Sequence, residues 1–164
     1  MNTNLETQKP EPTGLGGWLI LPAISIIFTP IGQLFSLADI FVNYSGTIEL
    51  LGPYMETSML LTVYYYGSIL FEIALLFYSI FLLLAFFRKK KSAPDMFIGL
   101  LLVMLTVSIV DMLAWSYIAK LFPNGSETGA VADTGRSLIR AGISAMIWIP
   151  YFRLSRRVKN TFVR

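Results

Sequence analysis

Glu72, Asp111, Arg136 and Arg140 are ionisable side chains set within or at the edge of long apolar runs, and Gln33 is a polar amide in another. A lone charge in hydrocarbon costs a few kcal/mol or more, so such residues face a bundle interior and find partners. Two carboxylates and two guanidinium groups can cancel in charge, and an Arg fork can hold a carboxylate through two parallel hydrogen bonds. Two chemistries use this set. One is a structural ion-pair or hydrogen-bond network; the other is a proton relay in which Glu72 and Asp111 titrate. The plainer arrangement leaves Arg136 and Arg140 snorkelling to headgroups and Glu72 bonded to a serine.

The rest of the inventory narrows the chemistry. The 164 residues include no Cys and no His. Thiolate and imidazole metal sites, disulfides, haem ligation and Ser–His or Cys–His nucleophile pairs are therefore out of reach, and no cofactor or metal is expected. Enzymes rank last among the function classes, with Ser, Lys and carboxylates the remaining catalytic groups. Gly14-Leu15-Gly16-Gly17 is glycine-rich, yet no strand precedes it and a membrane helix follows, so a hinge is expected there instead of a phosphate loop.

The elements that must position these residues are membrane helices. Hydrophobic content is 55%, and the mean hydropathy of +0.64 is too high for a typical soluble domain. Four apolar spans are read at about 16–40, 59–87, 96–119 and 136–152, giving an all-α, four-helix transmembrane bundle over residues 14–152. Residues 1–13 are polar, contain Pro10 and Pro12, and form an expected disordered leader. Residues 42–57, with Asn43, Gly46, Gly52 and Pro53, read as a loop, and so do residues 120–135. Pro22 and Pro30 fall in the first span, where a kink is expected. Ser36-Leu37-Ala38 has the small-x-small form of a signal-peptide cleavage site, but the apolar stretch is long and the preceding charge nearly neutral, so the segment is read as a retained span.

Charge sets the orientation. Arg88, Lys89, Lys90 and Lys91 follow the second span, and the tail at 153–164 carries Arg153, Arg156, Arg157, Lys159 and Arg164; the other two connections are mainly acidic. The positive-inside bias makes both termini cytoplasmic. Arg153, Arg156, Arg157 and Lys159 then face anionic phospholipid headgroups, which also account for the net charge of +3 better than a nucleic acid does. Pro150 could bend the fourth span, and Val158 and Phe162 could lay an amphipathic tail on the lipid surface, the alternative being a plain stop-transfer cluster.

Depth links the polar residues. At ~1.5 Å per residue, Glu72 lies about 24 Å from Arg88, Asp111 about 22 Å from Met96, Arg140 about 20 Å from Arg153 and Gln33 about 22 Å from Trp18. All four are expected in one layer in the outer half. Helical spacing adds Ser68 and Ser79 to the Glu72 face, Ser108 to that of Asp111, and Arg136 with Ser144 to that of Arg140. Tyr64, Tyr65 and Tyr66 are read as an outer aromatic belt. Two sequons, Asn43-Tyr44-Ser45 and Asn124-Gly125-Ser126, lie on the outer side.

The two ends of the chain resemble a known family. Gly16-Gly17-Trp18-Leu19, Ile147-Trp148-Ile149-Pro150-Tyr151-Phe152, Ser155, Arg157-Val158-Lys159 and Asn160-Thr161-Phe162 are similar to the bacterial membrane proteins grouped as domain of unknown function 2569. The resemblance implies a four-span protein of the bacterial inner membrane in which the sequons are idle. It supplies no activity and no catalytic residues. An accessory or assembly protein packing against lipid or another membrane protein is the leading class, and a small proton-coupled transporter using Glu72 and Asp111 is the alternative. A water-filled cavity reaching the carboxylates favours the transporter; a dry, charge-paired interior favours the accessory protein.

Overall fold

The computed structural model describes Gly14, residues 16–121 and residues 128–163, apart from the side chains of 121 and 128–130. The expected leader at 1–13 and the second sequon's Asn124 lie outside the described residues. Among the described residues every regular element is helical: a 3-10 turn at Gly17–Leu19, then α1 (Ile20–Val42), α2 (Tyr44–Thr57), α3 (Met59–Phe87), α4 (Ala93–Leu121), α5 (Thr128–Leu154) and α6 (Arg156–Thr161). Three segments, Gly17–Val42, Met59–Phe87 and Ala93–Lys120, are long and apolar enough to cross a membrane. α5 has the length, but Asp133, Arg136, Arg140 and Arg153 dilute its apolar character.

α1 carries Pro22 in its first turn, where a missing N–H costs nothing, and Pro30 in its interior. Pro30 deprives the Ile26 carbonyl of a donor, the kind of defect that membrane helices absorb. Nearby, Thr29 Oγ1 donates to the Ser25 carbonyl at 2.8 Å. Leu19, Ile26 and Gln33 are buried against the rest of the bundle, so loss of the segment through Ala38 would strip the fold of one wall.

The stretch read as a loop is the helix α2. Its half-buried residues, Thr47, Ile48, Leu51, Tyr54 and Met55, recur at helical spacing, and Glu49 and Glu56 lie on the exposed side. That periodicity outweighs the turn signals of Gly46, Gly52 and Pro53. At 14 residues α2 is too short to cross a bilayer. α5 likewise starts inside the second expected loop, at Thr128, and takes in Gly129 and Gly135.

α3 and α4 meet at a tight turn. Lys90 N–H donates to the Ala85 carbonyl and Lys89 N–H to the Phe86 carbonyl, both at 3.0 Å, the paired bonds of a Schellman ending. Lys89 occupies the left-handed position, with φ of 54°, where glycine is usual. Around this turn the bundle is packed most tightly. Leu82, Ala85 and Phe86 of α3 join Ala93 and Phe97 of α4, Phe152 of α5 and Leu19 ahead of α1 in one buried cluster. In lipid such packing is held by van der Waals contact more than by exclusion of water.

The tail completes this cluster instead of lying on lipid. α5 runs through Pro150 to Leu154, and the break comes at Ser155, whose extended backbone redirects the chain into α6. Val158 and Phe162, expected on a lipid-facing side, are 2% and 5% exposed. Phe162 packs on Phe86 with ring centroids 5.1 Å apart. Arg153, Arg156 and Lys159 stay exposed, and Arg157 is half-buried.

Candidate functional site

α3 and α4 part as they leave their shared turn. Close to it, Tyr78 Oη donates to the Met96 carbonyl at 2.8 Å, and Gly99 makes room for that ring, since a Cβ there would stand 3.1 Å from Tyr78 Oη. Farther along, an open cleft of about 600 Å³ separates the two helices. Its walls are mainly apolar, with Glu72, Ser68 and Tyr64 on the α3 side and Asp111 and Thr106 on the α4 side. The two carboxylates matched by depth in the sequence therefore do share one site.

Their partners differ from those expected. Tyr64 Oη donates to Asp111 Oδ1 at 3.0 Å. Tyr64 thus belongs to the polar site as well as to the tyrosine run, which pattern alone assigned to an aromatic belt. Ser36 of α1 and Asp111 of α4 are the polar neighbours of the Glu72 carboxyl. Ser68 and Ser108 return their hydroxyls to their own helices, donating to the Tyr65 and Met104 carbonyls at 2.8 and 2.9 Å.

Gln33 sits deeper in the bundle. It is 5% exposed, and Ser79 Oγ lies 2.6 Å from Gln33 Oε1 and 2.9 Å from the Leu76 carbonyl. Gln33 Nε2 is buried with no hydrogen-bond partner. Ser79 has one proton, so it can serve only one of the two acceptors. Turning the Gln33 amide over satisfies both groups better, with Nε2 donating to Ser79 Oγ and Ser79 to Leu76. Ser79 is about 10 Å nearer the α3–α4 turn than Glu72, so Gln33 and Glu72 occupy different levels. Ser36, one turn beyond Gln33, is the α1 residue beside Glu72.

The arginines are elsewhere. Arg136 Nη1 pairs with Asp133 Oδ1 of its own helix at 3.1 Å, both side chains largely exposed. That is the salt bridge found among the described residues. Arg140 is exposed on the same outward side of α5, while Ser144 is half-buried. The structure thus brings Glu72 and Asp111 together and leaves Gln33, Arg136 and Arg140 outside their site.

At the opposite end of α3 and α4, the segment ahead of α1 meets α6. Gly14 N–H donates to Thr161 Oγ1 at 3.0 Å, and Thr161 Oγ1 also lies 3.3 Å from the Gly14 carbonyl. The Arg157 guanidinium lies against Gly16 and Gly17. Gly17 has φ of 60°, a conformation natural to glycine, and a Cβ there would run into Arg157. Residues 140 to 147 positions apart in the chain form one contact because the helices return to the level where they began.

A family model described as Protein of unknown function (DUF2569) matches residues 12–163. The chain belongs to that family. The inner membrane protein YdgK of Escherichia coli (strain K12) is 28% identical over 157 residues, covering 93% of this chain and 95% of the relative. No solved structure matches. With three helices capable of crossing a bilayer, this family member is a multi-pass inner-membrane protein. The motifs that carried the resemblance also acquire a location: Gly16, Gly17 and Leu19 from the start, and Phe152, Arg157, Val158, Thr161 and Phe162 from the end, gather at the junction of the two termini.

Proposed function

We propose that this protein is a non-catalytic accessory or assembly protein of the inner membrane, which crosses four times with both termini cytoplasmic and receives a cationic group of a membrane partner in its α3–α4 cleft. The observation that carries this reading is the pair Glu72 and Asp111, which share an open cleft without a salt bridge to any Arg or Lys among the described residues. Carboxylates at membrane depth that lack a counter-charge are retained where they have a use, and a cation is the partner that relieves them. Four crossings are supported by the bond from Gly14 to Thr161, because residues that touch lie on one side and the stretch between them then crosses an even number of times. α5, 27 residues and about 40 Å long, is the fourth crossing despite its charges. The basic turn at residues 88–91 and the exposed Arg153, Arg156 and Lys159 favour cytoplasm and anionic headgroups on that side.

Affinity purification of the tagged full chain in mild detergent tests the reading. A protein or lipid retained by the wild type and lost from the Glu72→Gln/Asp111→Asn variant is the expected result. Equal retention by both would count against the cleft as the binding site.

A second reading, a proton-coupled carrier, gains support from the same lack of a salt bridge, since carboxyls that escape arginine remain free to exchange protons. The mainly apolar walls favour the accessory reading over it. Proteoliposomes containing a pH-sensitive dye distinguish the two. Flux abolished by Glu72→Gln or Asp111→Asn would establish the carrier.

A further inference from the structure

Arg140 and the cleft carboxylates are complementary, yet they stand on different faces of the same chain. α5 turns Arg136, Ile139, Arg140, Ile143, Met146 and Ile147 outward, so the Arg140 guanidinium stands in a stripe of large apolar side chains. Counted along the helices, Arg140 is about 20 Å from Arg153 and Asp111 about 22 Å from Met96, a difference of less than one turn. Among the described residues, a cation and two carboxylates therefore stand at one depth without a salt bridge. Each is costly facing hydrocarbon, and each is relieved by meeting the other.

We propose that two copies of this protein associate by seating the α5 stripe of one in the α3–α4 cleft of the other, with Arg140 of the partner subunit reaching Glu72 and Asp111. The proposal rests on the accessory-protein reading and names its partner. Both surfaces flank α4, α5 on one side and the cleft on the other, so a single two-fold axis can satisfy both at once and close the assembly as a dimer. A cleft of about 600 Å³ has room for an arginine side chain and flanking aliphatic groups. Small residues at its wall, Gly67 and Ser68, permit close approach of a helix. Charge pairing at a matched depth also fixes the vertical register of the two copies, which apolar faces alone would leave free to slide.

The natural absence of cysteine allows a clean test. Ile139→Cys in one tagged full-length chain and Val110→Cys in a differently tagged chain are co-expressed and oxidised in native membranes; both positions are exposed and lie at similar depth. The expected product carries both tags, and its yield falls at least fivefold with Arg140→Ala in the first chain or Glu72→Gln/Asp111→Asn in the second. Arg140→Lys should keep most of the yield. Misfolding is excluded by charge exchange: Arg140→Asp in the first chain should lower the yield, and adding Asp111→Arg in the second should restore it, because the opposite charges meet again across the same half of the interface. A yield indifferent to the charge variants, or no product with both tags, would overturn the proposal. Retention of a different membrane protein through Glu72 and Asp111, with this chain monomeric, would also overturn it while leaving the accessory reading in place.

Discussion

The same two helices, α3 and α4, build a closed region and an open one. Near their turn, Ala85 and Ala93 lie beside Phe86 and Phe97, so that small residues accept large ones and the cluster fills. Toward the other end, Gly67, Ser68, Val103, Thr106 and Val107 line the gap without enough volume to close it. The closed end also holds the contact of Gly14, Gly16 and Gly17 with α6 and most of the residues that mark the family. The open end holds the carboxylates. The contrast teaches that fold identity and chemical potential occupy opposite ends of this molecule, and that substitutions at the two ends should therefore report different things.

The largest contrast should come from two phenylalanines. Phe162→Ala removes a buried ring that packs on Phe86, and a loss of about 3–5 kcal/mol in unfolding measured in detergent is expected. Phe71→Ala, at the cleft wall and 40% exposed, should cost below about 1 kcal/mol. Equal losses would erase the distinction between the two regions.

A polar pair sharpens it. Gln33→Leu or Ser79→Ala alone should cost about 1–3 kcal/mol by leaving a buried group without its partner, whereas the double change should cost less than the sum. Strict additivity would show that the two side chains do not interact. Smaller effects are expected from the backbone. Gly17→Ala places a side chain at φ of 60° against Arg157 and should destabilise by about 1–2 kcal/mol. Lys89→Gly relieves a left-handed residue at the α3–α4 turn and should stabilise by about 1 kcal/mol. Both are read by the same unfolding measurement, and a sign opposite to either expectation would contradict the geometry of that turn or junction.

Sequence made the spanning helices legible because hydropathy alone marks them; the reading 59–87 coincides with Met59–Phe87. Depth counting succeeded for Glu72 and Asp111 because both were measured from the ends of one short turn. It misplaced Gln33, whose partner Ser79 lies only about 14 Å along α3 from Arg88, so Trp18, in a 3-10 turn, is a poor ruler for that level. Periodicity put Arg136 and Arg140 on one face of α5 but could not tell which face turns inward, because lipid and protein interior are equally apolar. Tyr64 gave no local signal of its bond to Asp111, which depends on where α3 and α4 diverge. In α2, the turn residues Gly46, Gly52 and Pro53 concealed a half-buried stripe that was present in the pattern.

In the proposed topology, Gly14 and Thr161 are fastened together on one side of the membrane while the cleft lies toward the other. The direct measurement is disulfide trapping of Gly14→Cys with Thr161→Cys in the otherwise cysteine-free full chain, together with labelling of each single variant from either side of sealed vesicles. The account predicts a link formed within one chain and labelling of both positions from the cytoplasmic side. Failure of the link to form, or labelling of residues 14 and 161 from opposite sides, would contradict it.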